Sequence, residues 1–245
     1  MNQDNKLIRS LLQNVRAGSN ASFEQLYQIY SGRIFTLCLR LLGNVSLAEV
    51  MTKNIFISAR EQISIIRNDV SFGSWIVGVA VFKSLEILRN GGNNFSTDEN
   101  VKTKIDKKNY SFSDLENGLL TLPTKQRLVF VLNNLEKYSE EETADLLYIK
   151  LDEVKTLLKE SQNKLNTLQN LIQISDASAR VNEYQTNIIP NKEIWKDIYS
   201  EINNSNQNNN STPLQNTTEP LDNIEINSSQ IKKEKKFGIF SWKKK

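Results

Sequence analysis

The segment Asp152-Glu153-Val154-Lys155-Thr156-Leu157-Leu158-Lys159 sets two lysines one helical turn apart. At a helical period, Val154, Leu157, Leu158 and Leu165 form the inward row, which leaves Lys155 and Lys159 on the outer face. Two ammonium groups on one helix face can neutralise successive phosphates, and they serve equally as a solvated surface. Catalysis is a poor fit to the rest of the composition. The chain has no histidine, which removes every histidine-dependent triad, general base and metal site, and no enzyme activity, metal or cofactor is expected. Cys38 is the single cysteine, so no intrachain disulfide can form and a reducing compartment is expected. The balance of 31 basic and 28 acidic residues gives a net charge of +3, well short of the excess carried by a pure nucleic-acid binder.

Short helices must position those lysines. Pro123 suits a first helical turn, and Leu128, Val131, Leu132 and Leu135 follow at helical spacing. Ser139 and Glu142 spell a capping box for a second helix that buries Thr143, Ala144 and Leu147. A turn at Tyr148–Leu151 precedes the third helix, for which Asp152 is the expected cap. Three helices with this spacing form a helix-turn-helix, the usual vehicle for laying one helix in a DNA major groove.

Four more helices are expected upstream. The first spans Asp4–Val15, with Leu7, Leu11 and Val15 on one face. Ser22 and Gln25 box the start of the second, which carries Phe23, Leu26, Tyr27, Tyr30, Ile34, Leu37 and Leu41 and ends at Gly43-Asn44. Ser46 and Glu49 box the third, with Met51, Ile55, Ala59 and Ile63 inward. Residues 75–82 are β-branched enough to suggest a strand. The row Phe72, Trp75, Ile76, Val79 and Lys83 nevertheless argues for a fourth helix, with Phe72 and Trp75 in the core.

The fold expected is all-α, with two small helical bundles: residues 1–92, a polar flexible linker at 93–111, and the helix-turn-helix bundle at 112–174. Residues 175–245 read as a low-complexity tail, mostly disordered because tracts such as NNSNQNNN bury too little apolar surface. Two islands interrupt the tail. A short amphipathic helix at 191–202 carries Trp195, Ile198, Tyr199 and Ile202, and can fold back on the bundles or enter a partner's groove. The basic aromatic end at 231–245 suits weak contact with an anionic membrane surface. The N-terminus is amphipathic and charged, without the apolar block of a secretory signal, so a cytoplasmic location is expected.

Two bundles in this order resemble a known family. Phe23-x-x-Leu26-Tyr27, Leu41-Leu42-Gly43-Asn44, Ala48-Glu49, Phe56, Ser71-Phe72-x-x-Trp75 and Leu88-Arg89 resemble region 2 of sigma-70-family factors of the extracytoplasmic-function type. Leu122-Pro123, Gln126-Arg127, Ser139-x-Glu141-Glu142-x-Ala144, Val154-Lys155 and Lys164-Leu165 are similar to its region 4. The resemblance implies a sigma factor that binds core RNA polymerase and directs it to promoter DNA, with an anti-sigma factor as a further partner. It implies DNA contacts at Lys83, Arg89, Asp152, Lys155, Thr156, Lys159 and Lys164, and polymerase contacts at Glu49, Thr52, Lys53 and Phe56.

The chain departs from that family at its functional surfaces. The polymerase-facing run is usually acidic, and here Glu49 alone keeps a carboxylate while Lys53 brings the opposite charge. The arginines usual on the third helix are replaced by Leu157, Glu160 and Gln162. Tyr148 stands where a turn glycine is usual, although a positive φ costs a residue with a Cβ. Two other readings therefore stay open: a degenerate sigma-like regulator that binds polymerase or an anti-sigma partner without opening promoters, and a membrane-surface adaptor working through its tail.

Overall fold

The computed structural model describes residues 3–64, 66, 71–90, 114–168 and 188–209. Among these residues all regular structure is helical. The linker expected over 93–111 and the basic aromatic end at 231–245 lie outside the described residues.

Helix α1 (Gln3–Arg16), α2 (Asn20–Leu42), α3 (Val45–Gln62) and α4 (Phe72–Asn90) form the first bundle. The centre is α2, which packs along its length against the other three. It is accordingly buried nearly all round at its C-terminal half, from Ile34 to Leu42, as expected of a helix surrounded by apolar neighbours. Residues 75–82 are helical, with Ile76, Ala80 and Val81 buried, because β propensity yields to tertiary packing when no partner strand exists. On α1, Leu11, Leu12 and Val15 are buried while Leu7 is 52% exposed, so the inward row is shifted from the one the spacing predicts.

Helix starts differ from the sequence expectation in two places. The cap of α2 is Ser19, whose hydroxyl accepts from the Ser22 N–H. The cap of α3 is Asn44, whose side chain accepts from the Leu47 N–H at 2.9 Å. Each lies upstream of the serine expected to serve, Ser22 and Ser46. The end of α2 follows expectation: Gly43 adopts φ 67° and its N–H returns to the Leu39 carbonyl. A Cβ there would also meet the Arg127 guanidinium at 2.6 Å, so a larger residue would have to displace that side chain as well. Arg16 closes the other end of α3 by donating to the carbonyls of Ile63 and Ile66.

The second bundle comprises α5 (Asp114–Thr121), α6 (Thr124–Phe130), α7 (Glu140–Leu147) and α8 (Leu151–Leu168). Helix α6 runs on as a π-helical turn, Val131–Leu135, a feature without a signature in the spacing. The core holds Leu119, Leu128, Val131, Leu132, Val154 and Leu165, all essentially inaccessible. A final helix, α9 (Lys192–Asn209), belongs to the same compact unit as both bundles, Met1–Gln207. It extends well past residue 202 into the asparagine tract, since adding residues to an anchored helix costs far less than nucleating one. Among the described residues no helix is long and apolar enough to cross a membrane.

Candidate nucleic-acid and partner interfaces

The turn between α7 and α8 is built as the sequence requires. The Ser139 hydroxyl accepts from the Glu142 N–H at 3.1 Å and the Glu142 carboxylate accepts from the Ser139 N–H at 2.8 Å. Thr143, Ala144 and Leu147 are buried beneath. Tyr148 closes the helix at φ 54°, ψ 44°, the left-handed conformation that is costly for a residue with a Cβ. Asp152 does not cap α8. The helix opens at Leu151, and Asp152 lies in its first turn, where a carboxylate complements the helix dipole.

The buried row of α8 is Val154, Leu158, Ser161 and Leu165, with Leu157 only partly covered. Asp152, Lys155, Thr156 and Lys159 are exposed together on the opposite side. The Glu141 carboxyl is held below its ordinary range by hydrogen bonds from its own backbone and Ser139, with Lys155 adding a smaller attraction. Lys164 does not join this group. At about 100° per residue it sits about half a turn around the axis from Lys155, and it lines a shallow groove with Thr121, Leu122, Asn163 and Thr167. Two glutamates of α8 are engaged by α6: Glu160 accepts from Gln126 Nε2 at 2.7 Å, and Glu153 pairs with Lys125 at 3.0 Å.

The cationic residues predicted on α4 are held by the protein itself. Lys83 Nζ donates to Ser58 Oγ at 2.9 Å. Arg89 donates through Nη2 to the Leu146 carbonyl, and its guanidinium lies 4.7 Å from the centre of the Tyr148 ring. An arginine of the first bundle thus secures the last turn of α7 and the residue that ends it. Around it the bundles meet through Arg33 and Glu136 at 3.2 Å, and through Arg40 and Glu116. Arg40 Nε donates to both Glu116 oxygens, at 2.9 and 3.2 Å, and Nη2 adds a further bond. Both side chains are buried. Arg127, pressed against Gly43, donates to the Leu122 carbonyl. Burial lowers its pKa to about 10. None of these long-range pairings carries a local sequence signal.

The four residues predicted on α3 separate into two kinds. Thr52 and Phe56 are core: the Thr52 hydroxyl donates to the Ala48 carbonyl of its own helix, and the Phe56 ring sits 4.8 Å from Tyr27 and 6.5 Å from Phe23. Neither presents a surface to another molecule in this arrangement. Glu49 and Lys53 are half-buried, and Lys53 pairs with Glu201 of α9 at 3.1 Å. Beside them Leu47 and Val50, 40% and 54% exposed, are apolar side chains that sequence reasoning did not single out. The signal was present, as both fall outside the inward row Met51, Ile55 and Ala59. Among the described residues no group of acidic, cysteine or histidine side chains is placed to hold a metal ion.

No protein-family model matches the chain. In sequence it is similar to the ECF RNA polymerase sigma factor SigW of Bacillus subtilis, with 25% identity over 177 residues, 65% of this chain and 95% of that protein. In structure it is similar to the sigma factor RpoE from Bartonella quintana, solved with the anti-sigma factor NepR: TM-score 0.44, 14% identity, 62% of this chain and 98% of that one. CnrH, solved with the cytosolic domain of CnrY, gives TM-score 0.41, 19% identity, and coverage of 67% and 97%. The sequence match is long enough to take in nearly the whole of SigW, as the ordered motifs of two bundles lead one to expect. Over that length the chain is similar in sequence to an extracytoplasmic-function sigma factor.

Proposed function

We propose that this protein binds core RNA polymerase and directs it to specific promoters. The observation that carries the reading is the match to SigW across 95% of that protein's length. The exposed face of α8 agrees with it. Lys155 and Lys159 flank Thr156, which suits phosphate neutralisation beside a polar reader of base edges. Pairing of Glu153 and Glu160 with α6 reduces the repulsion that free carboxylates would exert on DNA. The polymerase side is α3, where Glu49 and Lys53 adjoin the open apolar pair Leu47 and Val50. An apolar centre with charged neighbours suits a protein interface. Arg89 reaches DNA only when the second bundle leaves the first, because its guanidinium is otherwise committed to Leu146 and Tyr148.

The test is run-off transcription with core polymerase on a library of promoter fragments. Transcripts that depend on both this protein and a defined promoter are expected. Polymerase binding without any transcript would convert the reading into that of a regulator that occupies polymerase without opening promoters. Absence of polymerase binding would overturn it.

A further inference from the structure

We propose that α9 is a built-in competitor for the polymerase-facing side of the first bundle, a strap that must leave before polymerase can seat fully. The proposal rests on the polymerase reading above. Its ground is where α9 lies. Trp195 packs over Tyr27 at 4.9 Å and Phe23 at 6.2 Å between ring centres, and these two rings in turn pack on Phe56 of α3. Ile194, Ile198 and Ile202 form the buried row of α9 at helical spacing. Polar contacts fix its register. Glu201 takes Lys53, Asn203 accepts from Asn20 at 3.3 Å, and the Ile188 N–H donates to Thr36 Oγ1 at 3.2 Å.

Three features distinguish a strap from an integral core helix. First, α9 holds on through long side chains, whereas α1, α3 and α4 pack closely along α2. Second, its outward residues Glu193, Lys196, Asp197 and Ser200 are all exposed, so its attachment is confined to one narrow row, Ile194, Ile198 and Ile202 with Trp195. Third, it covers part of α3 and leaves Leu47 and Val50 open. A partner can therefore land on the open half and compete for Lys53 and the aromatic floor. Because α9 belongs to the same chain, its effective concentration is high, and a partner pays for displacement in apparent affinity.

The test uses the full chain with reporter labels at Gln28 and Ser200, both exposed; Cys38 is fully buried and stays unlabelled. Ile198→Asp places a charge in the buried row, and Glu201→Lys, a change at an exposed position, opposes Lys53. The label separation reports α9, and titration with core polymerase reports affinity. The expected result is a wider separation in both variants, with affinity raised at least tenfold by Ile198→Asp and severalfold by Glu201→Lys. A wider separation with unchanged or weaker polymerase binding would overturn the strap while leaving the sigma reading in place. Unchanged separation in both variants would make α9 a fixed part of the bundle and overturn the proposal too. Failure of every form, unmodified protein included, to bind polymerase would remove the sigma reading and the strap with it.

Discussion

Removing the Glu116 carboxylate should open the molecule before it unfolds it. Arg40 and Glu116 are 7% and 4% exposed and joined by bonds to both carboxylate oxygens. Truncating one member of such a buried pair costs about 3–5 kcal/mol. The pair, however, joins α2 to α5 across the junction of the two bundles, so the structure has a second way out. If α5 and the helices behind it leave α2, Arg40 regains water. The cost that appears in global unfolding is then capped by the free energy of docking. Two of the other polar junction contacts are modest: a partly exposed Arg33–Glu136 pair, worth roughly 0–1 kcal/mol, and the Arg89–Tyr148 stack, worth about 0.5–1 kcal/mol. Glu116→Ala is therefore expected to raise the radius of gyration in small-angle scattering, with a smaller loss of stability in urea than the full penalty.

The double variant Arg40→Met/Glu116→Leu removes both charges from an already dry site. It should recover compactness and stability to within about 1 kcal/mol of the unmodified protein, or exceed it. With the matching single variants Arg40→Met and Glu116→Leu, the cycle yields a coupling energy of at least about 2 kcal/mol. A coupling below about 0.5 kcal/mol, with compactness unchanged in Glu116→Ala, is the value for a solvated pair and would refute the reasoning.

Further outcomes follow from the same geometry. Tyr148→Gly relieves a left-handed conformation worth about 1–2 kcal/mol but gives up the Arg89 stack and adds backbone entropy to the unfolded chain. Its net effect on the urea midpoint should be small, and in an Arg89→Ala background it should become stabilising by about 1 kcal/mol; equal effects in both backgrounds would mean that the stack contributes nothing. In promoter binding, Lys155→Ala and Lys159→Ala should each reduce the slope of log affinity against log salt by about 1, while Lys164→Ala on the other flank leaves it unchanged. Alkali should weaken the fold. Burial pushes the Cys38 thiol and the Tyr27 and Tyr138 phenols up to about 12. The unfolded chain releases these protons first, so it binds fewer than the native state and stability falls as pH rises above about 9. Arg127, held down to about 10, acts in the opposite direction and offsets a minor part. Linkage gives a loss of about 2 kcal/mol by pH 10, read as a lower urea midpoint than at pH 8; a midpoint that holds or rises would contradict it.

What could be read from the sequence was local. The capping box at Ser139 and Glu142, the left-handed end at Gly43 and the inward row of α3 each depend on residues within one or two turns. On α4, by contrast, the expected Trp75, Val79 and Lys83 are only half-buried, and Val77, Ala80, Val81 and Leu85 join Phe72 and Ile76 in the core. The starts of α2 and α3 were ambiguous for a physical reason. Ser19 and Ser22, or Asn44 and Ser46, are alternative caps for one helix, and the upstream one wins because it adds hydrogen-bonded residues to the same element. Asp152 failed as a cap for the same reason, since α8 opens at Leu151. The fates of Arg40, Arg89 and Lys53 depend on partners 76, 57 and 148 residues away. No spacing rule reaches that far. The burial of Thr52 and Phe56 was equally out of reach, because a motif position says nothing of whether its side chain faces a partner or its own core.

Those distant partners change the meaning of the chain's departures from the sigma pattern. Tyr148, in place of a turn glycine, is covered by Arg89. Glu160, in place of an arginine, is taken by Gln126, and Leu157, in place of another, packs against the core. Lys53, in place of an acidic residue, is matched by Glu201 of α9. Residues released from a lost function would drift without acquiring partners, whereas each of these has one, and three of the four partners come from another element of the same compact unit. Under the proposed function, conditions that separate Arg89 from α7 and Lys53 from α9 should raise activity. That relation is the opposite of what simple decay of the interfaces would give, since decay leaves nothing for opening to restore.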